Sequence, residues 1–283
     1  MYPNILKLKF LVLLCSLPLI ISNLNAAEHS TETTTENAKE STTKTVTDSD
    51  SDSAADLIKT IEADDETEID VRVFEGDGDQ LLLGFACDQG SSLAEQQTAQ
   101  SLAMDGIEVW MPDMLSAYML PKLRSSLHEI PTNGLIQIIK EAKKTGKKVY
   151  LVASGPDTEL VLRLAHEWEK KHKDMPLGGA LLMFPRLNKG MPEPGKAPVY
   201  EDAVGKTKLP IMILEGERTP NRMGIRHLSK SLKKGGSTVY AKLIPDVRGY
   251  FFKRNDKNVP EGLVTSQMPG LIKASLFFLG RAH

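Results

Sequence analysis

Residues 147–165 read KKVYLVASGPDTELVLRLA, and the fold of the chain turns on them. The first half, Val149–Ala153, is a short apolar run, the pattern of a strand buried on both faces. The second half, Asp157 to Lys171, carries Leu160, Val161, Leu164, Ala165 and Trp168 at i, i+1, i+4, i+5 and i+8, one face of a helix. Between them stand Ser154, Gly155 and Pro156. A glycine turns the chain sharply without steric cost, and the proline's missing N–H costs nothing at a helix start. Strand, tight turn and helix follow one another within twenty-five residues, 147–171.

The same alternation continues on both sides. Strand patterns fall at Ile69–Phe74, Gln80–Phe85, Ile107–Met111, Ala180–Phe184, Ile211–Leu214 and Val239–Ile244. Helical patterns lie between and after them, at Ser92–Met104, Gly134–Lys144, Asn221–Lys234 and Pro269–Leu279. Gly146 and Gly235–Gly236 sit where helix C-caps belong. Alternation of this kind implies an α/β protein: a mostly parallel, twisted sheet with helices on both faces. Phe251, Phe252, Phe277 and Phe278 are expected in its core.

Composition divides the 283 residues into three segments. Residues 1–27 have the layout of a secretory signal peptide: Lys7 and Lys9, an apolar run from Phe10 to Ile21, then small Ala26 and Ala27. Pro18 interrupts the run, which falls short of the ~20 apolar residues a membrane span needs. Export to the periplasm or beyond is the expectation, with no span left after cleavage. Residues 28–66 hold twelve acidic residues and three lysines, a net of −9, and one small apolar patch, Leu57, Ile58 and Ile61. A disordered acidic linker is expected there, either a spacer or a partner-binding arm. Residues 67–283 carry a net of +5 and are long enough for one sizeable core.

Several chemistries are excluded at this level. A whole-chain charge of −2 does not suit a nucleic-acid binder. Two cysteines, Cys15 and Cys87, build neither a disulfide framework nor a cysteine zinc site. HExxH, P-loop and supported GxGxxG patterns are absent, so no metal or cofactor is expected.

The order of motifs resembles the α/β-hydrolase fold over most of residues 69–280. QLLLGFACDQGSS (80–92) looks like that family's strand and oxyanion loop, and GIEVWMPDM (106–114) like its next strand with a Pro-Asp. KKVYLVASGPDTELVLRLA has the shape of the nucleophile-bearing strand, elbow and helix. LPIMILEGERTP (209–220) resembles the strand that delivers the acid, and TVYAKLIPDVRGYFF (238–252) the last strand and the histidine turn. Residues 186–208, rich in Gly and Pro, are too loop-like for a large lid.

Set against the family's G-x-S-x-G elbow, VASGPDT puts Ala153 at the first glycine and Gly155 at the nucleophile. Glycine has no atom with which to attack a carbonyl. A one-residue shift makes Ser154 the nucleophile, but Val152 and Pro156 then replace glycines in a turn that tolerates no bulk. The acid position falls on Thr219, with Glu215 and Glu217 nearby. The histidine position falls on Gly249, or on Arg248 with a slip; arginine stays protonated and is no general base. Asp157 and Glu159 occupy the first turn of the elbow helix, where capping and dipole compensation account for them. His128, His166, His172 and His227 sit in helical or pre-helical segments; His29 and His283 lie in the linker and at the terminus.

The resemblance thus implies a hydrolase scaffold with no readable catalytic residue. The expectation is an exported binding or interaction module. Its pocket would lie at the strand C-termini near Phe85, Ala86, Ser154, Gly155 and Arg248, taking a small apolar ligand or a protein partner. The alternatives are an active serine hydrolase using Ser154 with a base such as His128, or an acidic linker that captures a partner while the domain anchors it.

Overall fold

The computed structural model describes residues 57–63, 67–85, 93–193 and 195–282. The expected signal peptide (1–27), most of the expected linker, Ala86 and both cysteines lie outside the described residues.

Eight strands form one sheet: β1 (Leu57–Glu62), β2 (Glu68–Phe74), β3 (Gln80–Phe85), β4 (Ile107–Pro112), β5 (Lys148–Ser154), β6 (Gly179–Met183), β7 (Ile211–Gly216) and β8 (Val239–Ile244). Their order across the sheet is β1-β2-β4-β3-β5-β6-β7-β8. β2 is antiparallel to both β1 and β4; β4, β3, β5, β6, β7 and β8 are mutually parallel. The helices are α1 (Leu93–Met104), α2 (Met114–Ala117), α3 (Thr132–Lys144), α4 (Asp157–Lys171), α5 (Ile225–Lys234), α6 (Val259–Ser266) and α7 (Met268–Gly280). Every strand and helix pattern named from sequence has its counterpart.

The two-residue period of the strands sorts the core into two layers. In β5, Val149, Leu151 and Ala153 join Leu135, Ile138, Leu160 and Leu164 of α3 and α4 on one face. Tyr150 of the same strand joins Leu102 of α1 and Ile272, Leu276 and Leu279 of α7 on the other. No helix among the described residues is long and apolar enough to cross a membrane.

Three expectations are corrected. The linker was expected to run to residue 66, yet Leu57–Glu62 forms edge strand β1, paired with β2 in register from Leu57↔Val73 to Glu62↔Glu68. The apolar patch explains this, because Ile61 and Ala63 are buried in the core facing α3. Phe277 and Phe278 are 58 % and 47 % exposed, unlike buried Phe251 and Phe252. They occupy the outer side of α7, whose inner side is filled by Ile272, Leu276 and Leu279. Asp157 does not cap α4, whose N-cap is Pro156 with no side-chain hydrogen bond. Asp157 stands in the first turn of α4, where its carboxylate favours the helix dipole.

Candidate functional site

The strands end along one edge of the sheet, and the β5–α4 turn sits at its middle. Gly155 holds that turn with φ +64°, a left-handed conformation that suits glycine. Its N–H donates to the Met183 carbonyl at 2.9 Å. Its own carbonyl accepts from the Arg186 N–H at 3.0 Å and from the Thr158 hydroxyl at 2.6 Å. The elbow is therefore locked by the ends of β6 and α4.

A side chain at Gly155 would have no room. A Cβ built there overlaps the hydroxyl oxygen of Tyr250. Tyr250 also adopts a left-handed backbone, φ 55°, in the turn after β8. Its ring packs against Phe184 at 5.7 Å and lies under the Arg186 guanidinium at 4.8 Å. The two other positions singled out from sequence also meet: a Cβ at Gly249 would stand 3.2 Å from Cγ2 of Thr219. The backbone thus converges at Gly155, Thr219 and Gly249, and Tyr250 fills the space beside the elbow.

Glu215, at the end of β7, is 1 % exposed. Its Oε1 accepts from the Gly216 N–H at 2.9 Å and from the Thr219 hydroxyl at 3.2 Å. Burial pushes its carboxyl above the ordinary glutamate value, opposed by those hydrogen bonds and by the charge of Arg186.

The residues expected to form one pocket are divided between two. Phe85 and Ser154 border an apolar cavity of about 80 Å³ between the sheet and the α1–α7 layer, with Leu102, Met183 and Phe252. Arg248 borders a polar cleft of about 500 Å³ beyond the ends of β6, β7 and β8, together with Tyr250, Thr219 and Glu215. Gly155 lies at the Tyr250 plug, and Ala86 is outside the described residues. Neither space is lined by a histidine among the described residues.

Ser154 and His128 are not brought together. Strand alternation turns Ser154 to the α1–α7 side, where it lines the apolar cavity. His128 sits with its Nδ1 3.7 Å from a Glu159 carboxylate oxygen of α4, in the opposite layer. His166 Nδ1 lies 2.9 Å from the Lys206 carbonyl, and His172 stacks on Trp168 at 3.9 Å. His227 lines a neighbouring surface groove beside α5. Tyr250 and Arg186 escaped notice in the sequence. Tyr250 had one available signal, its place one residue after the histidine position; nothing local marks Arg186.

The sheet order, the crossover helices and the elbow define an α/β-hydrolase fold. Comparison with solved structures agrees. Esterase Est22 superposes with a TM-score of 0.61 at 11 % identity, covering 80 % of this chain and 81 % of that one. A bacterial heroin esterase gives 0.58 at 13 %, covering 80 % and 85 %. The putative dienelactone hydrolase of Klebsiella pneumoniae gives 0.56 at 12 %, covering 76 % and 95 %. No family model and no curated protein sequence matches the chain.

Proposed function

We propose that this chain is an exported binding protein built on a hydrolase scaffold, without hydrolytic turnover. The observation that carries this reading is the occupation of the elbow: Gly155 offers no nucleophile, and the Tyr250 hydroxyl stands where a side chain would begin. Acyl transfer needs a nucleophile and a base within hydrogen-bond reach. Gly155, Thr219 and Gly249 supply neither at the point where the backbone gathers them. The solved neighbours are esterases and hydrolases by name, and they support the scaffold rather than the activity.

Purified protein should hydrolyse short acyl esters no faster than its Ser154→Ala variant and should take no label from a fluorophosphonate probe. Labelling that vanishes in Ser154→Ala would instead support a serine hydrolase using Ser154. That second reading is favoured by one observation, the position of Ser154 on the wall of an apolar cavity. Export is tested by the mass of the mature chain, expected to lack residues 1–26 or 1–27. Partner capture by the acidic tract is tested by deleting residues 28–56; capture that survives the deletion places the interaction on the domain.

A further inference from the structure

The cleft beyond β6, β7 and β8 has five arginines on its wall: Arg124, Arg186, Arg218, Arg248 and Arg254. Three are already committed. Arg248 pairs with Glu261 and Asp256, Arg254 with Asp256, and Arg124 with Glu201 and two backbone carbonyls. Among the described residues, Arg186 and Arg218 pair with no carboxylate. The Tyr250 ring fixes Arg186 by a cation–π contact. The single acidic side chain on the wall, Glu215, is buried, and its Oε1 is occupied by Gly216 and Thr219. Asn188 and Asn221 add neutral amides to the same wall.

Neither guanidinium has an ion-pair partner among the described residues, although Arg186 acts at longer range on buried Glu215, so both are placed to receive an anion in the cleft. Their donor forks match the oxygens of a carboxylate or a phosphate. At about 500 Å³ the cleft is large enough for a small organic molecule. We propose that this cleft binds an oxyanion, carboxylate or phosphate, carried by a small ligand, with Arg186 and Arg218 as its direct partners. This deepens the reading of a binding protein without turnover, on which it rests. It also replaces the apolar ligand expected from sequence with a polar one, because the apolar cavity beside Ser154 holds only about 80 Å³.

Calorimetric titration of the full mature chain with inorganic phosphate and with citrate tests this. Saturable one-to-one binding is expected for at least one of them at millimolar concentrations or below. Arg186→Gln and Arg218→Gln should each weaken it about tenfold, the usual scale for losing a charge-assisted hydrogen bond. Arg218→Lys should retain part of the affinity, and Arg226→Gln, on α5 outside the cleft, all of it. Raising the salt should weaken binding. Preference for phosphate assigns a phosphate ligand, and preference for citrate a carboxylate. Failure of both anions to bind folded protein overturns the proposal, as does binding unmoved by both glutamine variants. Fluorophosphonate labelling of the same preparation keeps the two failures apart. Lost anion binding without labelling sinks this inference alone, whereas labelling sinks the reading without turnover.

Discussion

Glu261 grips Arg248 at three points: the carboxylate accepts from the backbone N–H at 2.9 Å, from Nε at 2.7 Å and from Nη2 at 2.6 Å. It also accepts from the Asn258 N–H at 3.0 Å, closing a capping box at the start of α6. The side chain is fully buried, so every donor faces a carboxylate that water does not reach. The arginine hydrogen bonds hold the Glu261 carboxyl down to about 2. Glu261→Ala would remove three acceptors from Arg248, leaving it only Asp256, and would open the α6 capping box, so a lower midpoint in urea unfolding is expected. The sign of the pH effect follows from the depressed folded value. The stabilisation is complete above the ordinary glutamate value of 4.5 and fades as pH falls toward about 2. Glu261→Gln should flatten that limb of the stability curve.

Glu215 acts in the opposite sense and in a different window. Its carboxyl is raised by burial, so the folded state holds the proton more tightly than the unfolded chain does. Its penalty is absent below the ordinary value of 4.5 and grows as pH rises toward the raised folded value. Glu215→Gln keeps an Oε1 to accept from Gly216 and Thr219 but carries no charge. The variant should match or exceed the parent's stability at neutral pH, with the difference shrinking on acidification. Paired urea titrations of parent and variant across the mildly acidic range decide it; a neutral-pH loss would mean the carboxylate is stabilising.

Restoring a nucleophile at the elbow should not restore chemistry. Gly155→Ser asks a Cβ to occupy the oxygen of Tyr250 and forces φ +64° on a residue that disfavours it. The expected cost is roughly 2–4 kcal/mol by thermal or urea unfolding. Combining it with Tyr250→Ala removes the overlap, so the double variant should be more stable than the two single losses added together. Neither should hydrolyse esters, since no imidazole among the described residues lines the space. Strict additivity would show that Tyr250 and Gly155 do not compete for the same volume.

How legible this was from sequence differs by level. The sheet and helices could be read because buried parallel strands such as Val149–Ala153 and one-sided helices such as Asp157–Lys171 write their burial into residue order. The register of the elbow followed from one residue, Gly155, whose backbone conformation the sequence could anticipate. The content of the site was less legible. Ser154 adjoins Gly155, but side-chain alternation turns it to the α1–α7 side and a different cavity, while Phe85 packs in the α3–α4 layer. Arg186 and Arg218 reach the same cleft only because β6 and β7 are neighbours and end together, a relation no local pattern carries. Tyr250 enters the elbow through a left-handed turn at a residue that rarely adopts one.

The folded domain should begin at β1 rather than after it. Ile61 is 3 % exposed and packs with Ile69 and Val71 of β2 in the layer facing α3. Lys59 lies over the Trp110 ring at 4.8 Å and 3.9 Å from Glu141 of α3. A surface ion pair of that length adds little, so the strand's worth rests on Ile61 and on its pairing with β2. Ile61→Ala is expected to cost about 2 kcal/mol, the low end for a large-to-small change because an edge strand can relax. A chain starting at Leu57 should unfold at the same denaturant midpoint as the mature chain, while one starting at Thr67 should unfold earlier and expose β2 as a new edge. If the Thr67 chain keeps the parent midpoint, β1 is an ornament and the domain boundary belongs where the acidic composition first placed it.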